Sequence, residues 1–275
     1  MEIEFGRIED SIAQFTLSGA SEAFANALRR AMIGEVPTLA IDNIRIYDNT
    51  SVLFDEMLAH RLGMVPIKTD LAKFARKDAC RCEGAGCPIC QVTFTITAEG
   101  PKTVVSGDLV SDDALTTPVD PGIPIVKLWE DQKVVIEAVA YLNNGTEHAK
   151  WQPTVACGYK EYPVIDINDR CDGCGMCVEE CPRGVLEVKG RVVRVVDGRL
   201  EACSLCRLCE KACIATGIGD DSAIQAGADS TKFLFIIETD GSLSAQQIIE
   251  EGLRYIRTRS DTLIEALHEI SMEGL

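Results

Sequence analysis

The chain contains 275 residues, of which 46% are hydrophobic and 25% are charged, so it is long enough for two or three compact units with a core each. Its formal net charge is −16, which argues against a protein that wraps nucleic acid by itself, because such binding needs Lys and Arg to neutralise phosphates. The acidic N-terminal sequence MEIEFGRIED lacks the apolar core of a signal peptide, and no apolar stretch approaches the roughly 20 residues of a membrane span. We therefore expect a cytoplasmic protein without membrane contact.

The chain is rich in cysteine, and the cysteines are grouped. Of the 13 cysteines, all but Cys157 fall into three groups of four. Ligand-like spacing in a chain without an export signal favours metal binding in a reducing compartment over disulfide formation. We expect Cys157 to be a small buried apolar residue.

The N-terminal segment predicts two strands followed by a helix. Apolar residues alternate at about 3–8 and 12–17, which indicates strands. Further along, Phe24, Leu28 and Met32 recur at helical spacing and form one apolar stripe.

The next part of the chain predicts a β-rich unit. A strand at about 38–47 precedes a short helical segment from Phe54, after which a cysteine-rich loop follows. Residues 92–97 alternate strictly between apolar residues and threonine, as in a half-buried strand. More strands are indicated at about 102–110 and 134–141.

The cysteine-rich loop contains two close pairs, Cys80 with Cys82 and Cys87 with Cys90. Two pairs separated by a glycine-containing turn can surround a tetrahedral zinc ion. The first pair is more closely spaced than the usual Cys-x2-Cys, so two interpretations stay open: one zinc ion, or a mobile loop whose cysteines remain thiols.

Two copies of the spacing Cys-x2-Cys-x2-Cys-x3-Cys follow in the C-terminal half. Their members are Cys171, Cys174, Cys177 and Cys181 in the first run, and Cys203, Cys206, Cys209 and Cys213 in the second run. In two-cluster ferredoxins, three thiolates of a run hold one 4Fe-4S cluster, and the fourth ligates the other cluster; we expect this fourth cysteine to open a helix. The predicted ligand sets are Cys171, Cys174, Cys177 and Cys213 for one cluster, and Cys203, Cys206, Cys209 and Cys181 for the other.

The C-terminal segment predicts a linker, a strand and a long helix. Small and polar residues at 219–230 indicate a flexible boundary, and the apolar run that follows indicates a strand. Ser244 and Gln247 have the spacing of a capping box. Apolar residues then recur at helical spacing as far as Ile270, and so long an amphipathic helix usually needs a partner surface. Packing against its own domain alone is the alternative.

Several segments together resemble one known family. They are FANALRRAMIGEVPTLAID at 24–42, DEMLAHRLGMVPI at 55–67, and the C-terminal strand and helix. With the cysteine-rich loop and the ferredoxin-like insert, they resemble the D subunit of archaeal DNA-directed RNA polymerase, a relative of the amino-terminal domain of the bacterial α-subunit. The resemblance covers essentially the whole chain.

The resemblance implies an α+β fold in three parts. A discontinuous dimerisation domain would comprise residues 1–46 and 226–275, a β-rich domain residues 47–165, and an inserted ferredoxin-like 4Fe-4S domain residues 166–225. It also implies a role in assembly: the chain pairs with the small subunit L, and this heterodimer nucleates the addition of subunits N, P and the large catalytic subunits. The apolar stripe of the first helix and the C-terminal helix would be the surfaces that the heterodimer buries.

We find no catalytic residue in the sequence, so nucleotidyl transfer by DNA-directed RNA polymerase (EC 2.7.7.6) would reside in the complex, and DNA contact would be indirect. No Gly-rich phosphate loop ending in Lys and Ser or Thr is present. The alternative is a free-standing two-cluster electron carrier or a redox-enzyme subunit. The family-like segments outside 166–225 and the lack of a flavin or dinucleotide fingerprint count against it. Whether the clusters are purely structural or also sense oxygen or iron stays open.

Overall fold

The structure, a computed structural model, describes residues 1–215 and 221–273. Its strands are β1 (Glu2–Ile8), β2 (Ile12–Ser18), β3 (Thr38–Asn49), β4 (Gln91–Glu99), β5 (Lys102–Val105), β6 (Val110–Ser111), β7 (Pro124–Leu128), β8 (Lys133–Asn143), β9 (Thr154–Ile167), β10 (Leu186–Lys189), β11 (Val192–Val195) and β12 (Ile224–Thr239). Its helices are α1 (Glu22–Gly34), α2 (Asp55–Gly63), α3 (Met176–Glu179), α4 (Leu208–Ala215) and α5 (Ala245–Glu273). The predicted α+β class is confirmed.

The strands of the described residues form four sheets. The orders are β1-β2-β12-β9 and β3-β8-β4-β6 in the larger sheets, and β10-β11 and β5-β7 in the smaller ones. The chain divides into two compact units. The first unit comprises Met1–Gly6, Phe15–Ala25 and Tyr159–Phe235, and the second unit comprises Arg7–Gln14, Asn26–Gly158 and Ile236–Leu275.

The core of the second unit lies on the sheet β3-β8-β4-β6. β8 pairs with β3 on one side and with β4 on the other, antiparallel in both cases. Val92, Phe94 and Ile96 of β4 are buried, as the alternating sequence predicts, and the threonines between them are more exposed. Leu58 and Leu62 of α2 belong to the same apolar cluster, so the β-rich unit includes this short helix.

The apolar stripe of α1 is used within the chain itself. The helix is capped by Ser21, whose Oγ accepts a hydrogen bond from the Phe24 N–H at 3.2 Å. Leu28 and Met32 are fully buried, so the expectation that they form a surface for a partner is wrong. The reason is the close approach of α5: a Cβ on Gly252 would lie only 2.8 Å from Met32 Cγ. Glycine at this position allows α5 to pack on the stripe.

The two halves of α5 have different surroundings. The predicted capping box is present, since Ser244 Oγ accepts the Gln247 N–H at 3.2 Å and Gln247 Oε1 accepts the Ser244 N–H at 2.9 Å. Ile248 in the first half is fully buried, whereas every side chain from 257 to 269 is exposed. Packing against its own domain therefore accounts for only the first half. Despite its length α5 is not apolar enough to cross a membrane, and neither is any other helix of the described residues.

Two strands depart from the sequence expectations. β12 begins at Ile224, so residues 224–230 are strand and not the predicted linker; residues 219 and 220 lie outside the described part. Burial of Ile224 and Ala226 stabilises a segment whose Gly, Ala, Asp and Ser residues have low β propensity. β9 is not indicated by the sequence pattern, because most of its residues are only half-buried and alternate weakly.

Aromatic packing joins the strands that carry the ferredoxin-like insert. Phe15 stacks on Phe235 with ring centroids 4.9 Å apart, and Tyr159 packs on Phe235 at 5.2 Å. At the ends of β9 and β12 the Asn168 N–H donates to the Ala223 carbonyl at 3.0 Å. The insert therefore leaves and re-enters the sheet at adjacent positions.

Candidate cofactor and metal sites

The loop of the first cysteine run has glycine at two positions where the backbone requires it. Gly173 and Gly175 have φ angles of +73° and +83°, in the left-handed region that strains residues with a Cβ. Asp172 Oδ1 accepts the N–H of Cys174 at 3.0 Å and fixes the turn. Cys177 is buried at the start of α3.

The second run takes up the same left-handed conformations without glycine. Leu205 and Arg207 occupy the positions that correspond to the two glycines, and their φ angles are +55° and +57°. α4 then begins at Leu208, and both Cys209 and Cys213 lie in it and are buried. The expectation that the fourth cysteine opens a helix is therefore wrong. Residues four apart share one face of a helix, so both thiols lie on the same side of α4.

Two cavities of similar size gather the eight thiols. One is lined by Cys171, Cys174, Cys177 and Cys213, and the other is lined by Cys181, Cys203, Cys206 and Cys209. Each cavity thus combines three cysteines of one run with the fourth cysteine of the other. Crossed ligation of two clusters requires this grouping.

A backbone N–H group is directed at one sulfur atom in each cavity. The Ala223 nitrogen lies 3.2 Å from Cys213 Sγ, and the Val185 nitrogen lies 3.5 Å from Cys181 Sγ. Hydrogen bonds of this kind stabilise a thiolate and tune the potential of a cluster that it ligates. In both cases the sulfur belongs to the cysteine that crosses to the other run.

Two buried thiols, Cys177 in the first cavity and Cys209 in the second, are unfavourable as free thiolates. Burial raises the pKa of Cys177 to about 11, and the neighbouring cysteines act in the same direction. Burial also raises the pKa of Cys209. Ligation needs deprotonated sulfur, and a bound cation offsets the penalty. Four thiol donors around each cavity fit the cationic core of an iron–sulfur cluster.

The four cysteines of the cysteine-rich loop lie in mutual contact. Sulfur–sulfur distances are 3.5 Å for Cys80–Cys87, Cys80–Cys82 and Cys82–Cys90, and 3.8 Å for Cys87–Cys90. Thiolates in a tetrahedron around zinc, at zinc–sulfur distances of about 2.3 Å, would lie about 3.8 Å apart. The geometry therefore fits a tetrahedral ion of this size.

The environment of this group differs from one thiol to the next. Cys80 and Cys90 are buried, whereas Cys82 and Cys87 are half-buried. The hydrogen bond with Cys80 and one with the backbone of Gly86 lower the pKa of Cys82 to about 6, and burial raises the pKa of Cys90 to about 12. Cys90 directly precedes β4, which anchors one side of the loop to the sheet.

Sequence reasoning did not identify the charged residues near the second run. Lys160 of β9 donates to the backbone carbonyls of Glu201 and Cys203, and Arg183 and Arg207 line the second cavity. A residue-by-residue alignment of the two runs would have found Arg207, because it replaces a glycine. Cys157, expected to be buried, is half-buried, and burial raises the pKa of its thiol to about 11.

Comparisons with known proteins match both parts of the chain. The family model described as the RNA polymerase Rpb3/RpoA insert domain matches residues 44–157, and the model described as a 4Fe-4S dicluster domain matches residues 170–216. DNA-directed RNA polymerase subunit Rpo3 of Methanosarcina mazei is 45% identical over 98% of this chain and 99% of its own length. The subunits of the same name from Methanothermobacter thermautotrophicus and Archaeoglobus fulgidus are 44% and 42% identical, over 96% and 98% of this chain and 98% of their own lengths.

Proposed function

This chain belongs to the family of DNA-directed RNA polymerase subunit Rpo3, and we propose that its role in the polymerase is assembly. It is a subunit of the polymerase, and nucleotidyl transfer is an activity of the complex. In the proposal the chain pairs with the small subunit L in the cytoplasm. The heterodimer then nucleates the addition of subunits N, P and the large catalytic subunits, and contact with DNA is indirect.

The exposed half of α5 carries the proposed pairing with subunit L. Leu263, Ile264 and Leu267 lie on one face of this half and are 61%, 52% and 56% exposed. Large apolar side chains clustered on a surface are typical of protein interfaces. Because Leu28 and Met32 are buried within the chain, the proposed surface is this face of α5.

A groove beside this face extends the proposed surface. It lies between α1 and α5 and is lined by Ala27, Ala31, Tyr255, Ile256 and Leu263 among others. A helix with apolar anchors can fill a groove of this kind. The proposed partner therefore presents an amphipathic helix to the groove.

The pairing is tested by placing one charge on either side of α5. Leu263→Asp puts a carboxylate in the proposed apolar contact and should abolish co-elution with subunit L in size-exclusion chromatography. Thr258→Asp puts the same charge on the opposite, exposed side of the helix, and this control should pair normally. Normal pairing of Leu263→Asp would place the interface elsewhere.

We further propose that the two cavities hold two 4Fe-4S clusters with crossed ligation, and that these clusters stabilise the inserted domain. The clusters would also present a surface for the later steps of assembly. Removing both sets of cysteines should leave pairing with subunit L intact and weaken the addition of the larger subunits. The free-standing electron carrier is not favoured, because the Rpo3 relatives align along nearly the whole chain.

Zinc is the ion that we propose for the four cysteines of the cysteine-rich loop, because their sulfur–sulfur distances fit a tetrahedral site. The purified chain should contain about one zinc per molecule, and Cys82→Ser should lose it. Cys157→Ser removes a cysteine outside the group and should keep the zinc. A wild-type chain without zinc after expression in zinc-supplemented medium would refute the proposal.

A further inference from the structure

The two candidate cluster cavities differ in charge. The second cavity is lined by the arginines Arg183 and Arg207, and by no acidic residue of the described part of the chain. The first cavity is lined by Asp172 and, within the same described residues, by no basic side chain. The same kind of ligand set is therefore placed in two different electrostatic environments.

The difference arises at matched positions of the two runs. Asp172 in the first run corresponds to Ser204 in the second, and Gly175 corresponds to Arg207. Both replacements make the second cavity more positive than the first. Arg207 is held at a left-handed φ of +57°, where glycine would be conformationally easier.

Lys160 adds a third positive charge at the second run. Its Nζ donates to the carbonyl oxygens of Glu201 at 2.5 Å and Cys203 at 2.7 Å, in the segment that leads into the run. Burial lowers the pKa of this lysine, the nearby Arg183 acts in the same direction, and Cys203 opposes the shift. The ammonium group therefore interacts electrostatically with a ligand of the second set.

Acidic residues of the same segment offset these charges only in part. Glu201 and Glu210 belong to the second run and its entry, but neither lines the cavity. The Glu210 carboxylate accepts the Ala226 N–H at 2.6 Å. The charged residues that line the cavity are therefore the two arginines, Arg183 and Arg207.

We propose that the cluster held by Cys203, Cys206, Cys209 and Cys181 accepts an electron before the other cluster does. The proposal rests on the two-cluster function proposed above. Reduction transfers one electron to the cluster and makes or breaks no bond to the protein. Because the added charge is negative, nearby cations stabilise the reduced form and raise the reduction potential. Lys160, Arg183 and Arg207 are then residues that set the order of reduction.

The test is a reductive titration of the full-length chain, prepared anaerobically and followed by electron paramagnetic resonance. Dithionite supplies the electrons and is oxidised to sulfite. The wild type should show two midpoint potentials. Lys160→Met should lower only the higher midpoint potential. The expected shift is about 59 mV, which corresponds to a tenfold smaller equilibrium constant for one-electron reduction. Lys189→Met removes the same charge at an exposed site of the β10–β11 hairpin and should move neither.

A second pair of variants protects the test against loss of folding. Arg207→Gly removes a charge at a position whose left-handed φ suits glycine, so the loop should form and the higher midpoint should fall by a smaller amount. Leu205→Gly makes the matching backbone change without changing the charge, and it should leave both midpoints in place. If Lys160→Met loses iron, the comparison of Arg207→Gly with Leu205→Gly shows whether a positive charge raises the higher midpoint potential.

Three outcomes separate the failure of this inference from the failure of the proposed function. Iron and sulfide near eight each per chain, with only the lower midpoint responding to Lys160→Met and Arg207→Gly, would reverse the order and overturn the inference alone. Equal midpoints in the wild type would overturn it too. An iron content near four would overturn the two-cluster proposal itself, and the inference with it.

Discussion

The two cysteine runs have identical spacing and place left-handed backbone at the same two positions, but different residues occupy those positions. In the first run the left-handed positions are Gly173 and Gly175, and in the second they are Leu205 and Arg207. A left-handed residue with a Cβ costs roughly 1–2 kcal/mol. The second run therefore carries backbone strain that the first avoids, and it gains a positive charge at the cavity. Spacing alone defines which atoms can bind iron, whereas the residues between the cysteines define the stability and charge of each site.

The largest effect on iron content should come from removing the fourth cysteine of either run, which lines the cavity of the other run. Cys181 belongs to the first run by sequence but lines the second cavity, so Cys181→Ser should destroy the second cluster. Cys213 belongs to the second run but lines the first cavity, so Cys213→Ser should destroy the first cluster. Each variant should fall from about eight irons to about four. Electron paramagnetic resonance of the remaining cluster identifies which one is lost, and loss of the first cluster in Cys181→Ser would contradict crossed ligation.

A smaller effect, on stability, should follow when alanine replaces a glycine of the first run. Gly173→Ala introduces strain at φ +73°, and its Cβ would lie 2.6 Å from the Arg191 carbonyl carbon, so we expect more than about 2 kcal/mol of destabilisation. Gly190→Ala is the control, because its φ is +72° but its Cβ meets nothing within 4 Å. Anaerobic urea unfolding, followed by cluster absorbance, should rank Gly173→Ala below Gly190→Ala. Equal urea midpoints for the two variants would show that the clash at residue 173 is relieved by movement of the β10–β11 turn.

The smallest effect should appear when the second run is given the glycine it lacks. Leu205→Gly removes the strain at φ +55° and should stabilise the inserted domain by up to about 1 kcal/mol, reduced by the loss of a half-buried side chain. Leu208→Gly makes the same exchange at the first residue of α4, where the backbone is not left-handed, and should destabilise by up to about 1 kcal/mol. The same unfolding assay compares the two. Destabilisation by both variants would mean that contacts of the Leu205 side chain outweigh the strain.

The fold was predictable where a single period dominates the sequence. β4, α1 and α5 follow such patterns, and the capping box at Ser244 is present as expected. β9 and the first half of β12 were not predictable, because small, polar and half-buried residues become strands there only through pairing and tertiary packing. The surface of α1 was misassigned because an apolar stripe does not indicate whether its partner is the same chain or another. Gly252, which brings α5 onto that stripe, carries no such signal in the sequence.

The candidate sites were predictable in their membership but not in their geometry. Cysteine spacing was sufficient to propose the eight cluster ligands and the four candidate zinc ligands, and these remain proposals. The mutual contact of the four sulfur atoms around Cys80 depends on the fold of the loop. Lys160 is distant in sequence from the second run, so only the structure brings its charge to Cys203.

The sheet order β1-β2-β12-β9 has a consequence for synthesis of the chain. β2 is among the first segments to leave the ribosome, but its neighbour β12 begins at Ile224. Until then β1 and β2 can pair only with each other, and the long closure to β12 makes completion of the sheet slow. The β-rich unit can form earlier, because its contacts are more local, whereas both cluster cavities are lined in part by residues of β12. A truncated translation product would therefore fold its central part, but it would lack both β12 and the exposed helix that follows. If the exposed half of α5 pairs with subunit L as proposed, polymerase assembly would begin only from chains translated to the end.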